Sequence, residues 1–294
     1  MRNFINWGLF IALSLIWGSS FIMMKKGMVA LSAYQVASLR ILSSGIFMAP
    51  MLYNAVRRIP KDKVLMVLLS GILGSLLPAY LFCLAQTRVN SSMAGSLNAL
   101  TPIFVLVVGA LFFSLKTSLI RILGIILSFS GTLLLFYGQQ GGSSQSDIFY
   151  TFLIVIATLS YGININLVNR HLRGMNSMDI AAMALFFIAI PALIYLWMGD
   201  FSQVSFRDPE VRVSIGFSLL LGILSTAIAS VLYYMLIKRT GPVFSSTVTY
   251  GIPVVAIFWG MSFGEPIGIS HLAGLILILA GVFLATRISA AREG

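Results

Sequence analysis

Trp17 and Ser20 stand three residues apart, and Tyr161 and Asn164 repeat the pattern later in the chain. Residues at that spacing share one face of a helix. Each pair therefore sets an aromatic plate beside a hydrogen-bonding group, a combination suited to an amphipathic organic solute. Ser and Asn also bond helix to helix in membranes, and from the residues alone either use is open. Asn166 and Asn169 extend the polarity along the same stretch, and Tyr80, Tyr233, Tyr234 and Tyr250 offer further aromatic lining, although a single tyrosine more often packs or sits at a membrane interface. Pro102 and Pro253 each fall inside an apolar stretch. A helix-interior proline frees the carbonyl four residues earlier, here those of Asn98 and Thr249, both polar. Freed carbonyls beside polar side chains suit a solute site or a gate; a plain kink satisfied by neighbouring helices is the alternative.

Arg40 lies inside an apolar stretch, ~12 Å below its outer edge at a rise of about 1.5 Å per residue. A charge at that depth is expensive unless it faces a wet cavity or a partner. It either meets an acidic group on a solute or anchors backbone carbonyls. The acidic residues are Asp62, Asp147, Asp179, Asp200, Asp208, Glu210, Glu265 and Glu293, and all fall in loops or at the ends of apolar stretches. Glu265 reads as an N-terminal cap of the last helix. His171 and His271 fall toward opposite faces, so neither a Ser–His arrangement nor a metal cluster forms in the spans; no metal, cofactor or catalytic residue is expected. Cys83, the sole cysteine, reads as inert packing.

The elements that must position these groups follow from composition. The chain of 294 residues is 59% hydrophobic and 9% charged, with a mean hydropathy of +0.98. A soluble domain of this length needs far more charge on its surface. The apolar residues come in runs of about 20, enough to cross a hydrocarbon core as helices. Transmembrane strands would instead alternate over about ten residues. The expected fold is an all-α polytopic membrane protein with spans at Ile5–Met24, Ala33–Tyr53, Val64–Leu84, Ser92–Phe113, Ser118–Tyr137, Ile148–Val168, Ile180–Met198, Ile215–Ile237, Phe244–Phe263 and Leu272–Thr286, the second broken near its end by Pro50. The first run has no convincing small-residue cleavage site and is kept as a span.

The net charge of +11 resides in short loops between apolar runs. That distribution points to lipid headgroups and topology, not to nucleic acid, which needs a clustered basic face. With the N-terminus in the cytoplasm, inner segments hold Arg2, Arg57, Arg58, Lys61, Lys63, Lys116, Arg121, Arg170, Arg173, Lys238, Arg239, Arg287 and Arg292, against Lys25, Lys26, Arg88, Arg207 and Arg212 outside. This bias places both termini in the cytoplasm and suggests a multi-pass protein of the inner (plasma) membrane.

The chain repeats itself. Gly71-Ile72-Leu73-Gly74 recurs as Gly222-Ile223-Leu224-Ser225, Thr101-Pro102 as Ile252-Pro253, Gly124 and Gly131 as Gly274 and Gly281, and Leu15-Ile16-Trp17-Gly18 as Leu159-Ser160-Tyr161-Gly162. Residues 1–138 and 148–294 form the two repeats, and 139–147, rich in Gly and Ser, the linker. Five spans per half is an odd number, so the second half enters the membrane inverted, a design of many secondary transporters with a site between the halves.

On Trp17-Gly18 with Phe21, Leu39-Arg40, Leu100-Thr101-Pro102, Gly124 to Gly131, Tyr161-Gly162, Pro253, Phe263-Gly264-Glu265 and Gly274 to Gly281, the chain resembles the EamA family of the drug/metabolite transporter superfamily. The resemblance implies ten spans, cytoplasmic termini and export or exchange of small metabolites such as amino acids. It also implies a central cavity built from every span except the fifth and tenth. Ser114-Leu115-Lys116 stands where the family often has an acidic residue after the fourth span. The expected function is alternating-access transport of a small organic solute. Trp17, Ser20, Arg40, Tyr80, Asn98, Tyr161, Asn164, Thr249 and Tyr250 are the expected binding residues, with Pro102 and Pro253 as gates. Efflux of drugs or other amphipathic compounds and uptake of a metabolite such as a nucleobase are alternatives; a channel or an intramembrane enzyme is remote. Membrane lipid is the other expected partner.

Overall fold

Backbone polar groups in lipid must be satisfied within the chain's own helices or in a closed barrel. The computed structural model describes residues 2–113, 119–137, 145–265 and 267–287, and among them all regular structure is helical. The first half contains α1 (Arg2–Gly27), α2 (Ala33–Arg58), α3 (Val64–Gly71) and α4 (Leu77–Ala85) joined by a π-helical turn at Ile72–Leu76, α5 (Ser91–Asn98), α6 (Thr101–Phe112) and α7 (Leu119–Tyr137). The second contains α8 (Gln145–His171), α9 (Ser177–Met198), α10 (Pro209–Leu220) and α11 (Ala229–Ser246) joined by π-helical turns at Leu221–Ile228, α12 (Gly251–Ser262) and α13 (Ile269–Arg287).

Among the described residues, seven helical stretches are long and apolar enough to cross a membrane. One of them, Pro209–Ser262, is 54 residues long and turns back at Gly241, whose φ of 81° lies in the left-handed region, so it makes two crossings. The shorter apolar helices Ile122–Gly131 and Ile269–Gly281 bring the spans to ten. The protein is a multi-pass helical membrane protein. Its eighth span starts earlier than the apolar pattern indicates, because Asp208 caps α10 by accepting from the Glu210 backbone N–H at 2.9 Å. The second span also differs from expectation. Pro50 does not break it, and α2 runs on to Arg58, since one lost backbone bond is tolerated where neighbouring helices pack. The glycine-rich segment 138–144 and Ser114-Leu115-Lys116 lie outside the described residues.

The fourth and ninth spans are discontinuous at equivalent places. Span four breaks between α5 and α6, leaving Pro102 in the first turn of α6, where its missing N–H costs nothing. Span nine breaks through a 3-10 turn at Thr247–Tyr250, just before Pro253. The prolines thus follow breaks and are not buried in continuous helices. The Asn98 carbonyl that Pro102 leaves free accepts from the Thr101 hydroxyl at 2.8 Å.

The halves are packed through each other. The first span of each half lies against the broken span of the other, α1 on α12 and α8 on α6. Glycines make these crossings close: a Cβ on Gly18 would stand 2.4 Å from the Val255 Cβ, and one on the equivalent Gly162 would stand 2.7 Å from the Phe104 Cβ. The aromatic–glycine repeat therefore has two faces, one for close crossing and one for the interior. Spans five and ten pack on each other through Gly131 and Gly281, where a Cβ would stand 2.6 Å and 2.5 Å from carbonyl oxygens of the partner helix.

Candidate functional site

Between the halves lies a cavity lined by residues of both. Trp17 and Ser20 reach it from α1, Tyr161 and Asn164 from α8, Arg40 from α2, Asn98 from the break in span four, and Thr249 from the break in span nine. The structure thus brings seven of the nine expected binding residues to one space. The other two stand apart from it. The Tyr80 hydroxyl bonds with the Ser38 hydroxyl at 2.6 Å, and its ring joins Tyr34 and Tyr195 in an aromatic cluster. Tyr250 is partly buried and packs against the hydrophobic core. Pro102 and Pro253 are buried behind the lining.

Several of the lining groups are held by identifiable contacts. The Trp17 indole N–H donates to the Ser225 carbonyl at 2.9 Å, in the π-helical stretch of span eight. Its ring meets Tyr233 edge-on at 4.8 Å between centroids. Ser20 donates to the Trp17 carbonyl at 2.6 Å. Tyr161 stacks on Phe82 at 6.1 Å, and Phe82 meets Phe21 edge-on at 5.5 Å. Thr249 donates to the Ser246 carbonyl at 2.8 Å. The result is an aromatic chamber with polar groups at set points.

Several lining residues were not anticipated, among them Met24, Ser75, Thr101, Thr226 and Ser230. Ser75 and Thr226 are equivalent by the repeat offset of Gly71 and Gly222 and both sit in π-helical turns. That shared polarity at a repeated position was the available signal. Among the described residues, none of α7, α9 or α13 lines the cavity. Among the described residues the seventh span adds nothing to the lining, and its α9 packs on α2.

Cross-half bonds tie both ends of the bundle. At one end the Arg239 Nε donates to Asn6 Oδ1 at 2.9 Å, and Arg58 pairs with Asp179 at 3.7 Å. Nearby, Lys238 donates to Ser177 Oγ at 2.8 Å and to the Met175 carbonyl. At the other end Glu265 does not cap the last helix. Its Oε1 accepts from the Ser91 N–H at 2.8 Å, and its Oε2 from the Ser92 N–H at 2.9 Å and the Ser92 hydroxyl at 2.8 Å. It caps α5, in the other half. Burial pushes its carboxyl up, and the hydrogen bonds from Ser92 and Ser91 outweigh this and hold it below the usual carboxylate range. Gly264 makes this possible: with φ at 78° it closes α12 in a Schellman turn, its N–H bonding to the Met261 carbonyl at 3.1 Å and that of Glu265 to the Gly260 carbonyl at 2.9 Å. The carboxylate is thereby directed back onto α5. His271 bonds with Ser96 Oγ at 3.2 Å, one turn further along α5.

The family model described as the EamA-like transporter family matches residues 6–137 and again 148–287, one match per half. An uncharacterized transporter of Archaeoglobus fulgidus is 25% identical over 92% of this chain and 95% of its own length. The uncharacterized transporter YoaV of Bacillus subtilis is 24% identical over 94% of each chain. The uncharacterized inner membrane transporter YedA of Escherichia coli is 26% identical over 95% of this chain and 90% of its own. A solved crystal structure of 14% identity superposes with a TM-score of 0.69 over the whole of both chains, which speaks for the fold.

Proposed function

We propose that this chain, which belongs to the EamA-like transporter family, carries a small organic solute by alternating access, and that efflux or exchange of an amino acid or similar zwitterion is its task. The observation that carries this reading is the cavity lined from both halves by residues at equivalent positions, Trp17 and Ser20 with Tyr161 and Asn164. The aromatic plates take the apolar part of the solute, and Ser20, Asn98, Asn164 and Thr249 take its polar ends. The repeats are residues 1–138 and 148–294 in inverted orientation, with both termini in the cytoplasm of a cell whose inner membrane holds the protein. The cytoplasmic end is then the one tied by Arg239 and Asn6, and the outer end the one tied by Glu265. These ties break in turn as the cavity opens to either side, with the breaks before Pro102 and Pro253 as the moving joints.

Counterflow of labelled amino acids in proteoliposomes tests the reading. Trp17→Ala is expected to slow exchange by about tenfold or more, the loss of one large aromatic contact. Leu193→Ala, a change on an exposed face of α9, is expected to leave the rate unchanged. Equal effects of the two substitutions would show that the Trp17 face is packing.

A further inference from the structure

Arg40 is 7% exposed and stands in the cavity wall. A guanidinium is always charged and carries five N–H donors. Here the Nε donates to Thr226 Oγ1 at 2.7 Å, and Nη1 faces the Met24 sulfur at 3.7 Å. Both partners are neutral, and the second is weak. Among the described residues the ion pairs are Arg58 with Asp179 and Lys63 with Asp62, and neither reaches Arg40. No Asp or Glu stands among the lining residues. In the same cavity Asn164 is 4% exposed, and its Oδ1 accepts no hydrogen bond from the protein. The cavity therefore offers one uncompensated cation and one unused acceptor, and no anion.

We infer that, granted the transport reading above, this cavity selects its solute by an acid group: a carboxylate seats on the Arg40 guanidinium, and a donor group of the same solute is taken by Asn164 Oδ1. A buried cation without a counter-charge is costly, and a carboxylate presents two acceptors that match the Nη edge. The Thr226 bond takes Nε, and against the Nη groups stands only the weak Met24 sulfur contact. A solute that has lost its acid group leaves Arg40 uncompensated, and an organic cation adds repulsion, so both are rejected. The aromatic walls alone do not discriminate in this way, because their faces also attract cations.

The test is calorimetric titration of the full chain in lipid nanodiscs with benzoate and with benzylamine, two probes of one shape and opposite charge. Benzoate is expected to bind at least about tenfold more tightly than benzylamine, and Arg40→Gln to abolish that preference. The wild-type comparison stands alone if Arg40→Gln does not fold. Benzylamine binding as tightly as benzoate, or benzoate not binding, overturns the inference. The solute counterflow described above is unaffected by that result and judges the transport reading separately. Trp17→Ala separates the remaining cases. Benzoate binding lost in Trp17→Ala but retained in Arg40→Gln overturns the acid-group rule and keeps the cavity as the site. Binding retained in both variants places benzoate elsewhere and overturns the inference.

Discussion

Glu265 shows how far one side chain's role can lie from its place in the sequence. A carboxylate just before a helix reads as that helix's cap, yet this one caps α5 across the interface between halves. The left-handed Gly264 decides the matter by turning the chain back on itself, and no local pattern reveals which helix the turn will face. Glu265→Gln retains one acceptor and loses the charge. A loss on the order of 1 kcal/mol is expected, allowing for its half-exposed position. Because the folded-state acid is held below the usual range, this contribution is fully present above the unfolded value of about 4.3 and is lost as pH falls through the lower folded value. The melting difference between wild type and variant should hold from neutral to mildly acidic pH and close only in strong acid. A difference that vanishes already at pH 6 would show that Glu265 is not the group responsible. The cavity residues were more legible. Trp17, Ser20, Tyr161 and Asn164 could be read because helical spacing and repetition place them on one face. Tyr80 could not, since only the packing of α4 beside α2 and α9 shows that its hydroxyl goes to Ser38.

The spans themselves were readable from apolar runs, but their irregularities were not. Hydropathy carries no mark of a π-helical turn, because an extra residue in a turn leaves composition unchanged. Yet the turns at Ile72–Leu76 and Leu221–Ile228 sit at equivalent places, and they bring Ser75, Ser225 and Thr226 to the cavity. The breaks in spans four and nine were half legible: the prolines mark them, but from the first turn after a break and not as interior kinks. This refines what Pro102→Ala and Pro253→Ala should do. Span four is stopped between Asn98 and Thr101, with the Thr101 hydroxyl on the Asn98 carbonyl. Alanine at 102 supplies an N–H that competes for that carbonyl and lets the helix run through. Expression and melting temperature are expected to stay near wild type, because alanine is the better helix former. Transport is expected to fall several-fold as the joint stiffens. Wild-type transport rates in both variants would show that the breaks are fixed architecture and take no part in opening.

At the scale of the molecule the question is what drives the cycle. Each half lays its first span across the other's broken span, and the cavity is lined by residues of both. A carrier driven by protons through a side chain needs a group in the solute's path that binds and releases them. Among the described residues the cavity is lined by aromatic, hydroxyl and amide groups and Met24, Gly74 and Ile165, with Arg40 as its one charge, and an arginine does not release its proton. Glu265 is committed to the N–H groups of α5, and His271 bonds to Ser96 at the same end of the bundle. Both stand outside the residues that line the cavity. Downhill facilitation or solute exchange is therefore expected, with Arg40 favouring exchange, because a loaded cavity compensates its charge and an unloaded one leaves it bare. The measurement is uptake into proteoliposomes with and without an imposed pH gradient, at zero membrane potential, of a solute whose charge is constant over that range. Equal rates and no accumulation above the outside concentration are expected, along with faster uptake when unlabelled solute is present inside. Accumulation that requires the gradient and survives Glu265→Gln combined with His271→Ala would place a proton site elsewhere in the chain and overturn the uncoupled cycle.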